Sequence, residues 1–342
     1  MPWLVRITPG ALARLGLYLA RPCLTPVALF HSEGLLQSIL KVALQSLRDH
    51  GITPALLHEV KEASVEEAVH LLGAVPSSCK ALVGVGGGKA LDVAKYTASL
   101  AGLPYFAVPT SLSNDGFCSP QVSLSLEGKR RSLPTGLPDA LIVDLAVCQS
   151  APLMLWHSGI GDLCSKFTAV SDWKLAFHRR GVPVNDLAAL ISDASVFQFI
   201  AHPAPDEQGI RLLATALMLN GVAMEIAGSS RPASGSEHLI SHALDMTGTR
   251  QRLHGLQTGT AAYLVSSLQY GSHHERIGEL FGQTGFWESV RKQPFYKEEW
   301  RIAVEQAPSV KEDFYTILSE REVWPEFARM IAHDAALVGC FE

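Results

Sequence analysis

The run SSRPASGSEHLISHALDMTGTRQRLH, residues 229–254, carries three histidines, His238, His242 and His254. His238 and His242 are four apart, so on a helix they stand one above the other on the same face. His254 follows a break at Gly248-Thr249-Arg250 and can return toward that face from a second helix. Neutral imidazole is the commonest protein metal ligand, and two histidines at helical spacing with a third from elsewhere suit zinc. Such a triple also occurs as a plain polar helix face, so it needs other donors beside it. Asp162, in the run Gly159-Ile160-Gly161-Asp162-Leu163-Cys164-Ser165-Lys166, supplies a carboxylate. Lys166 falls on the same helical face four residues on, where it either pairs with Asp162 or reaches a substrate.

A second kind of chemistry is written in Gly84-Val85-Gly86-Gly87-Gly88-Lys89 and Asp92. Three consecutive glycines between a strand and a helix let backbone approach a ligand closely, and the N–H groups at the helix start can cradle a diphosphate. The spacing is neither the dinucleotide fingerprint G-x-G-x-x-G nor a Walker loop. A tight strand-to-helix turn is the plain alternative. Next comes the polar loop Pro109 to Pro120, with Thr110, Ser111, Ser113, Asp115 and Ser119. In a doubly wound sheet, ligands bind at the carboxyl ends of strands, where this loop would lie. Its hydroxyls suit ribose and carboxamide, and Asp115 suits a substrate hydroxyl.

The elements that must position these residues fall into two halves. Residues 24–150 alternate strand and helix signals. Strands are expected at Val27–Phe30, Ile52–Val60, Ala81–Val85, Tyr105–Val108 and Ala140–Asp144, with helices at Leu35–His50, Val65–Val75 and about Ala90–Ala101. That alternation predicts a parallel sheet with helices on both faces. Beyond Ala151 strand signals vanish, and helical periodicity runs on with breaks at 181–183, 202–205 and 228–235. The expected domains are therefore 1–150, a Rossmann-like α/β unit, and 151–342, an all-α unit, with the cleft between them as the default site. Ala11–Ala20 is interrupted by Arg14 and is expected to be an amphipathic helix, not a signal peptide.

At 342 residues the chain is long enough for two cores. A net charge of −5, 47% hydrophobic and 18% charged residues give no electrostatic reason to bind nucleic acid or an anionic membrane. No uninterrupted apolar run reaches the ~18 residues of a membrane span. Six cysteines (23, 79, 118, 148, 164 and 340) without a C-x-x-C pair suggest reduced thiols and a cytoplasmic protein. Cys118 and Cys164 are expected to be small buried fillers, and His273-His274 a solvated helix start.

Taken in order, GGGKALDVAK, PTSLSNDGFCSP, GDLCSK, SRPASGSEHLISH and LHG resemble one family, the sn-glycerol-1-phosphate dehydrogenases. That family belongs with glycerol dehydrogenase, iron-type alcohol dehydrogenases and dehydroquinate synthase. The motifs cover roughly residues 80 to 260. The resemblance implies a dehydroquinate synthase-like fold, NAD or NADP as cofactor, and one divalent metal: zinc, with iron or nickel able to occupy the same donors. It places the metal on Asp162, His238 and His254, and substrate contacts at Asp115, Asp162 and His242. The dinucleotide falls on Gly86, Gly87, Gly88, Lys89, Asp92, Thr110, Ser113 and Ser119. His242 joins the three ligands as a catalytic residue, as a hydrogen-bonding or proton-relay group. Arg231 is a candidate phosphate contact or a loop anchor. The partners implied are a small-molecule substrate and further copies of the chain, with no nucleic acid and no membrane insertion.

Two positions depart from the family. Leu256 replaces an acid that commonly follows His-Gly, which is expected to loosen the contacts orienting a ligand. Phe30-His31-Ser32 lacks the acid that would hold a ribose 2′-hydroxyl, Glu33 coming one residue late, so the choice between NAD and NADP stays open. The activity implied is reversible NAD(P)H-linked reduction of dihydroxyacetone phosphate to sn-glycerol 1-phosphate. The alternatives are glycerol or other small-polyol oxidation, a dehydroquinate synthase-like cyclisation, and a non-catalytic nucleotide and metal binder.

Overall fold

A computed structural model describes residues 1–20, 24–311 and 313–342; Cys23, one of the six cysteines, lies outside the described residues. The chain forms two compact units. One comprises Met1–Leu112 and Gly116–Ala151, the other Ser113–Asp115 and Pro152–Glu342.

The first unit runs β1 (Leu4–Thr8), α1 (Leu15–Ala20), β2 (Val27–Ser32), α2 (Gln37–Arg48), β3 (Leu56–Val60), α3 (Val65–Ala74), β4 (Ala81–Gly86), α4 (Gly88–Ala101), β5 (Tyr105–Pro109), β6 (Gln121–Leu126), β7 (Lys129–Pro134), β8 (Ala140–Asp144) and α5 (Leu145–Gln149). Six strands form one parallel sheet in the order β1-β8-β5-β4-β2-β3, and β6 pairs with β7 as an antiparallel hairpin. The inner strands β4, β5 and β8 are buried at every position, as expected of parallel strands covered on both faces. Leu29, Val83, Phe106 and Ile142 on one face pack with Leu12, Leu15 and Leu19, and with Ala43 and Leu47 of α2. On the other face Gly84 lies so close to α4 that a Cβ there would stand 2.9 Å from the Ala94 methyl.

The sequence missed β1, an edge strand, and the β6–β7 hairpin, whose second strand is exposed and basic. It also began β3 too early: Ile52 is buried, but pairing starts only at Leu56. The helix expected at 11–20 is a 3-10 turn, Leu12–Arg14, followed by the short α1. The chain steps outward from β2 to β3 and then back to β4 on the other side of β2. Their carboxyl ends therefore form a switch point, where open α/β sheets bind ligands.

The second unit is helical: α6 (Leu153–Arg180), α7 (Asp186–Ile200), α8 (Glu207–Ala227), α9 (Ser236–Thr247), α10 (His254–Ser266), α11 (His273–Thr284), α12 (Phe286–Arg291), α13 (Lys297–Val310) and α14 (Trp324–His333). The expected breaks fall between α6, α7, α8 and α9. Gly181 and Gly228 end α6 and α8 in the left-handed region (φ 68° and 62°), where L side chains are strained. Asn185 and Asp206 cap the starts of α7 and α8 through their side chains. α8 is long and apolar enough to cross a membrane by length and composition, yet half of that stretch is buried within the protein. A core helix passes the same test.

Candidate active site

In the second unit the site begins with how closely two helices approach. Gly161 on α6 precedes Asp162, and Gly255 on α10 follows His254. A Cβ at Gly161 would collide with the Gly255 carbonyl, one at Gly255 with the Ser158 carbonyl, and one at Gly259 with the Gly161 backbone. Only glycines allow this contact, and Asp162 and His254 each stand beside one. The Ser158 hydroxyl ties the crossing further: it accepts from the Gly255 N–H (3.2 Å) and donates to the Ser113 carbonyl (2.8 Å).

From that crossing Asp162, His238 and His254 bring ligand atoms within 4.8 Å of one another. Asp162 and His238 are buried, and His254 is partly so. His238 Nε2 lies 3.5 Å from Asp162 Oδ1. Two ring nitrogens and one carboxylate oxygen are a donor set that zinc accepts, leaving a position open for a further ligand. The charge balance agrees. Lys166 Nζ sits 3.0 Å from Asp162 Oδ1 and 3.0 Å from Asp115 Oδ2, so one wholly buried ammonium serves two carboxylates. One negative charge of the pair is left over, and Glu237 adds another, fully buried, beside His238. A divalent cation fits that surplus.

Burial works against the Asp162 carboxylate, but the Lys166 charge and the His238 contact outweigh it and hold its pKa far below the usual range. Asp115 moves the other way: burial and the neighbouring Asp162 charge raise it, with Lys166 opposing. Burial would also discharge Lys166, yet Asp115 and Asp162 together keep it protonated. The Asp115 N–H donates to Asp162 Oδ2 at 2.8 Å. Asp115 is thus tied to the centre by side chain and backbone alike. His242 stands on the next turn of α9, its ring 6.3 Å from that of His238 and 6.1 Å from that of His254.

Several contacts were not foreseen. Glu237 Oε1 accepts from His238 Nδ1 (2.8 Å) and from the Gly235 N–H (2.6 Å), and Oε2 meets Thr168 Oγ1 at 2.8 Å. Ser241 Oγ lies 3.0 Å from His254 Nδ1 and donates to Gln257 Oε1 at 2.8 Å. Ser241 is thus an orienting partner of His254, and Leu256 is buried. Arg231 is an anchor: its guanidinium donates to the Tyr315 and Asp313 carbonyls and stacks 3.7 Å over Phe314. His273 and His274 are no solvated start, since they stack on Phe167 and Tyr263, each at 4.4 Å. Cys118 and Cys164 are fully buried, and burial drives the Cys164 thiol well above its ordinary pKa.

The first unit holds the glycine cradle at the carboxyl end of β4. Gly86 has φ +144°, and a Cβ there would run into the Ser32 hydroxyl at the end of β2. The same hydroxyl accepts the Gly87 N–H at 3.0 Å. At Gly87 and Gly88 a Cβ would meet nothing within 4 Å. The space in front of these residues is open, and they lead directly into α4, whose first N–H groups have no helical acceptor. A diphosphate fits such a place. Lys89 is exposed in the first turn, and Asp92 accepts the Ser123 N–H at 3.1 Å. The Thr110 N–H donates to the Gly86 carbonyl at 3.0 Å. Lys95, buried on α4, donates to the carbonyls of Gly116, Ser119 and Gln121 and clamps the loop that carries Ser119. Ser113 packs with the second unit, unlike the other candidate cofactor residues.

Residues 6–152 match the iron-containing alcohol dehydrogenase family. Among curated relatives, glycerol-1-phosphate dehydrogenase, NAD(P)+, from Hyperthermus butylicus is 36% identical over 82% of each chain. The Aeropyrum pernix enzyme of the same name is 36% identical over 86% of this chain and 84% of its own. The crystal structure of glycerol dehydrogenase from Schizosaccharomyces pombe superposes with a TM-score of 0.76 at 18% identity, covering 99% of this chain and 90% of that one. The fold is that of the dehydroquinate synthase-like enzymes, and the chain belongs to the glycerol-1-phosphate dehydrogenase family.

Proposed function

We propose that the chain catalyses NAD(P)H-linked reduction of dihydroxyacetone phosphate to sn-glycerol 1-phosphate, and the reverse oxidation. The observation that carries this reading is the convergence of Asp162, His238 and His254, in a chain 36% identical to relatives named for that activity. A nicotinamide cofactor held at Gly86 to Lys89 would supply the hydride for the carbonyl carbon in the forward direction, and the oxygen would take up a proton. A divalent ion, for which zinc is the best match, supplies Lewis acidity to that oxygen when bound. Iron or nickel suits the same donors.

The remaining tasks fall to the chain's own groups. Lys166 keeps Asp162 ionised, so that this carboxylate acts as an acceptor only. Asp115, already tied to Lys166, presents its other oxygen edge for a substrate hydroxyl. His242, one turn from His238, is the group for a hydrogen bond to the substrate or for holding the proton. Arg231 is engaged with backbone and leaves phosphate recognition to other groups. Gly86 to Lys89 and the start of α4 take the diphosphate, with Asp92, Thr110 and Ser119 around it. No acid ends β2, and we expect both NADH and NADPH to be accepted.

The test is zinc-loaded protein with reduced cofactor and dihydroxyacetone phosphate, followed by cofactor absorbance and chiral analysis of the product. Stoichiometric cofactor oxidation with sn-glycerol 1-phosphate as product supports the reading. Faster reduction of unphosphorylated dihydroxyacetone moves it to a glycerol dehydrogenase. Binding of zinc and cofactor with turnover of neither leaves a non-catalytic binder.

A further inference from the structure

We infer that Glu237 and Ser241 are positioning residues that fix the tautomer of one ligand imidazole each, with Glu237 the stronger of the two. The inference rests on the reading that Asp162, His238 and His254 hold the ion. A neutral imidazole has one lone pair to give and one N–H to place, so whichever nitrogen carries the proton is lost to a metal. Glu237 Oε1 sits 2.8 Å from His238 Nδ1. A carboxylate oxygen that already receives the Gly235 N–H is an acceptor, so the proton belongs on Nδ1. Nε2, the nitrogen facing Asp162, keeps its lone pair.

His254 reaches the same state by a neutral route. Ser241 spends its hydroxyl proton on Gln257 Oε1, so toward His254 it offers a lone pair. Nδ1 of His254 then carries the proton, and Nε2 gives the lone pair.

The two supports differ in kind. Glu237 is charged, wholly buried and held at both oxygens, by Gly235 and by Thr168. Neighbours one apart on a helix do not face each other. This carboxylate meets His238 because it bends back to the N–H of Gly235, which precedes the first turn of α9, and that carries it to the ring. Charge-assisted hydrogen bonds are about twice as strong as neutral ones, so Glu237 should fix its ligand more firmly than Ser241 does.

The experiment measures zinc affinity of the full chain by chelator competition, for the native protein and for Glu237→Gln, Glu237→Ala and Ser241→Ala. Cobalt-substituted protein is compared by its ligand-field absorption. Loss of an outer partner of this kind weakens metal binding by about 10- to 100-fold. We expect Glu237→Ala in that range, Glu237→Gln weaker than native by a smaller factor, and Ser241→Ala the least affected, with the cobalt bands shifted in both Glu237 variants. A purely structural Glu237 would lower the melting temperature without metal and leave affinity and bands unchanged. Folded Glu237→Gln with native zinc affinity and native cobalt bands overturns the inference, even if Glu237→Ala fails to fold. A native protein that takes up no zinc overturns the metal reading itself.

Discussion

Glycines do opposite work in the two units. At the end of β4, a Cβ on Gly87 or Gly88 would meet nothing of the protein within 4 Å. At the α6–α10 crossing, Gly161, Gly255 and Gly259 are pressed against backbone, and a side chain on any of them would collide with the opposite helix. At the end of β4 the open glycines leave room for something else to approach, and at the crossing the closed ones let the chain meet itself. The cradle is built of backbone and waits for a ligand. The candidate metal site is built of buried and half-buried side chains with a surplus of negative charge, and its geometry depends on two helices standing unusually close.

The hardest way to break that contrast is Gly255→Ala. Its methyl would run into the Ser158 carbonyl, which cannot move without moving α6. Overpacking a core costs typically 1–3 kcal/mol, and backbone gives way less readily than a side chain, so about 3 kcal/mol or more is expected. Thermal unfolding should show the loss, and metal analysis should show that what folds holds little zinc, because His254 travels with α10. A variant with native stability and native zinc content would mean that the crossing does not set the ligand geometry.

His254→Ala comes next. It removes one of the three donors but spares the crossing, so the fold should survive while zinc per chain falls well below one. Chelating the native protein should lower its melting temperature, and adding zinc should restore it, since an ion that binds only the folded state stabilises it by mass action. Equal zinc content in native and variant protein would take His254 out of the ligand set.

Gly87→Val tests the open side of the comparison. A Cβ at this position meets nothing within 4 Å, so stability should hold while the side chain fills the space a diphosphate needs. NADH affinity measured by fluorescence titration should weaken more than tenfold, which is ~1.4 kcal/mol. Unchanged affinity in a folded variant would move the nucleotide elsewhere.

Much of this was legible from residue order, and the rest failed for physical reasons. The breaks at 181–183, 202–205 and 228–235 could be read because Gly and Pro stop helices locally, and they do so here. His254 was expected on a second helix because Gly248-Thr249-Arg250 cannot continue the first, and it opens α10. The pairing of Lys166 with Asp162 follows from helical spacing alone, but that with Asp115 does not, because Asp115 comes from a loop far earlier in the chain. The contact of Glu237 with His238 was invisible because adjacent helical residues normally diverge. Arg231 carried no local sign to separate an anchor from a phosphate contact. β1 was missed because a short edge strand with Arg6 at its middle has little apolar pattern, and strand order is set by packing across the whole sheet.

The smallest expected effect separates the two regions by the sign of their response to pH. Asp92, near the cradle, is raised to about 6 by burial, with Lys95 and the Ser123 N–H only partly opposing. An unfolded aspartate titrates near 3.9. Between about pH 4 and pH 6 the folded chain therefore holds a proton on Asp92 that the unfolded chain has lost, and stability falls as pH rises through that window. Asp162 is depressed by Lys166 and His238, so its contribution is present at neutral pH and lost only in acid. Asp92→Asn keeps an oxygen for the Ser123 N–H and removes the charge. Denaturant unfolding of native and variant protein should differ little at pH 4, with the variant gaining about 1 kcal/mol by pH 7 once solvent screening is allowed for. Acid release of zinc should be the same in both, since Asp162 stays ionised and protons compete for the metal only at the histidines. A variant that gains nothing between pH 4 and pH 7 would show that Asp92 ionises without cost, and Asp92 would then match Asp162 in carrying its charge without penalty.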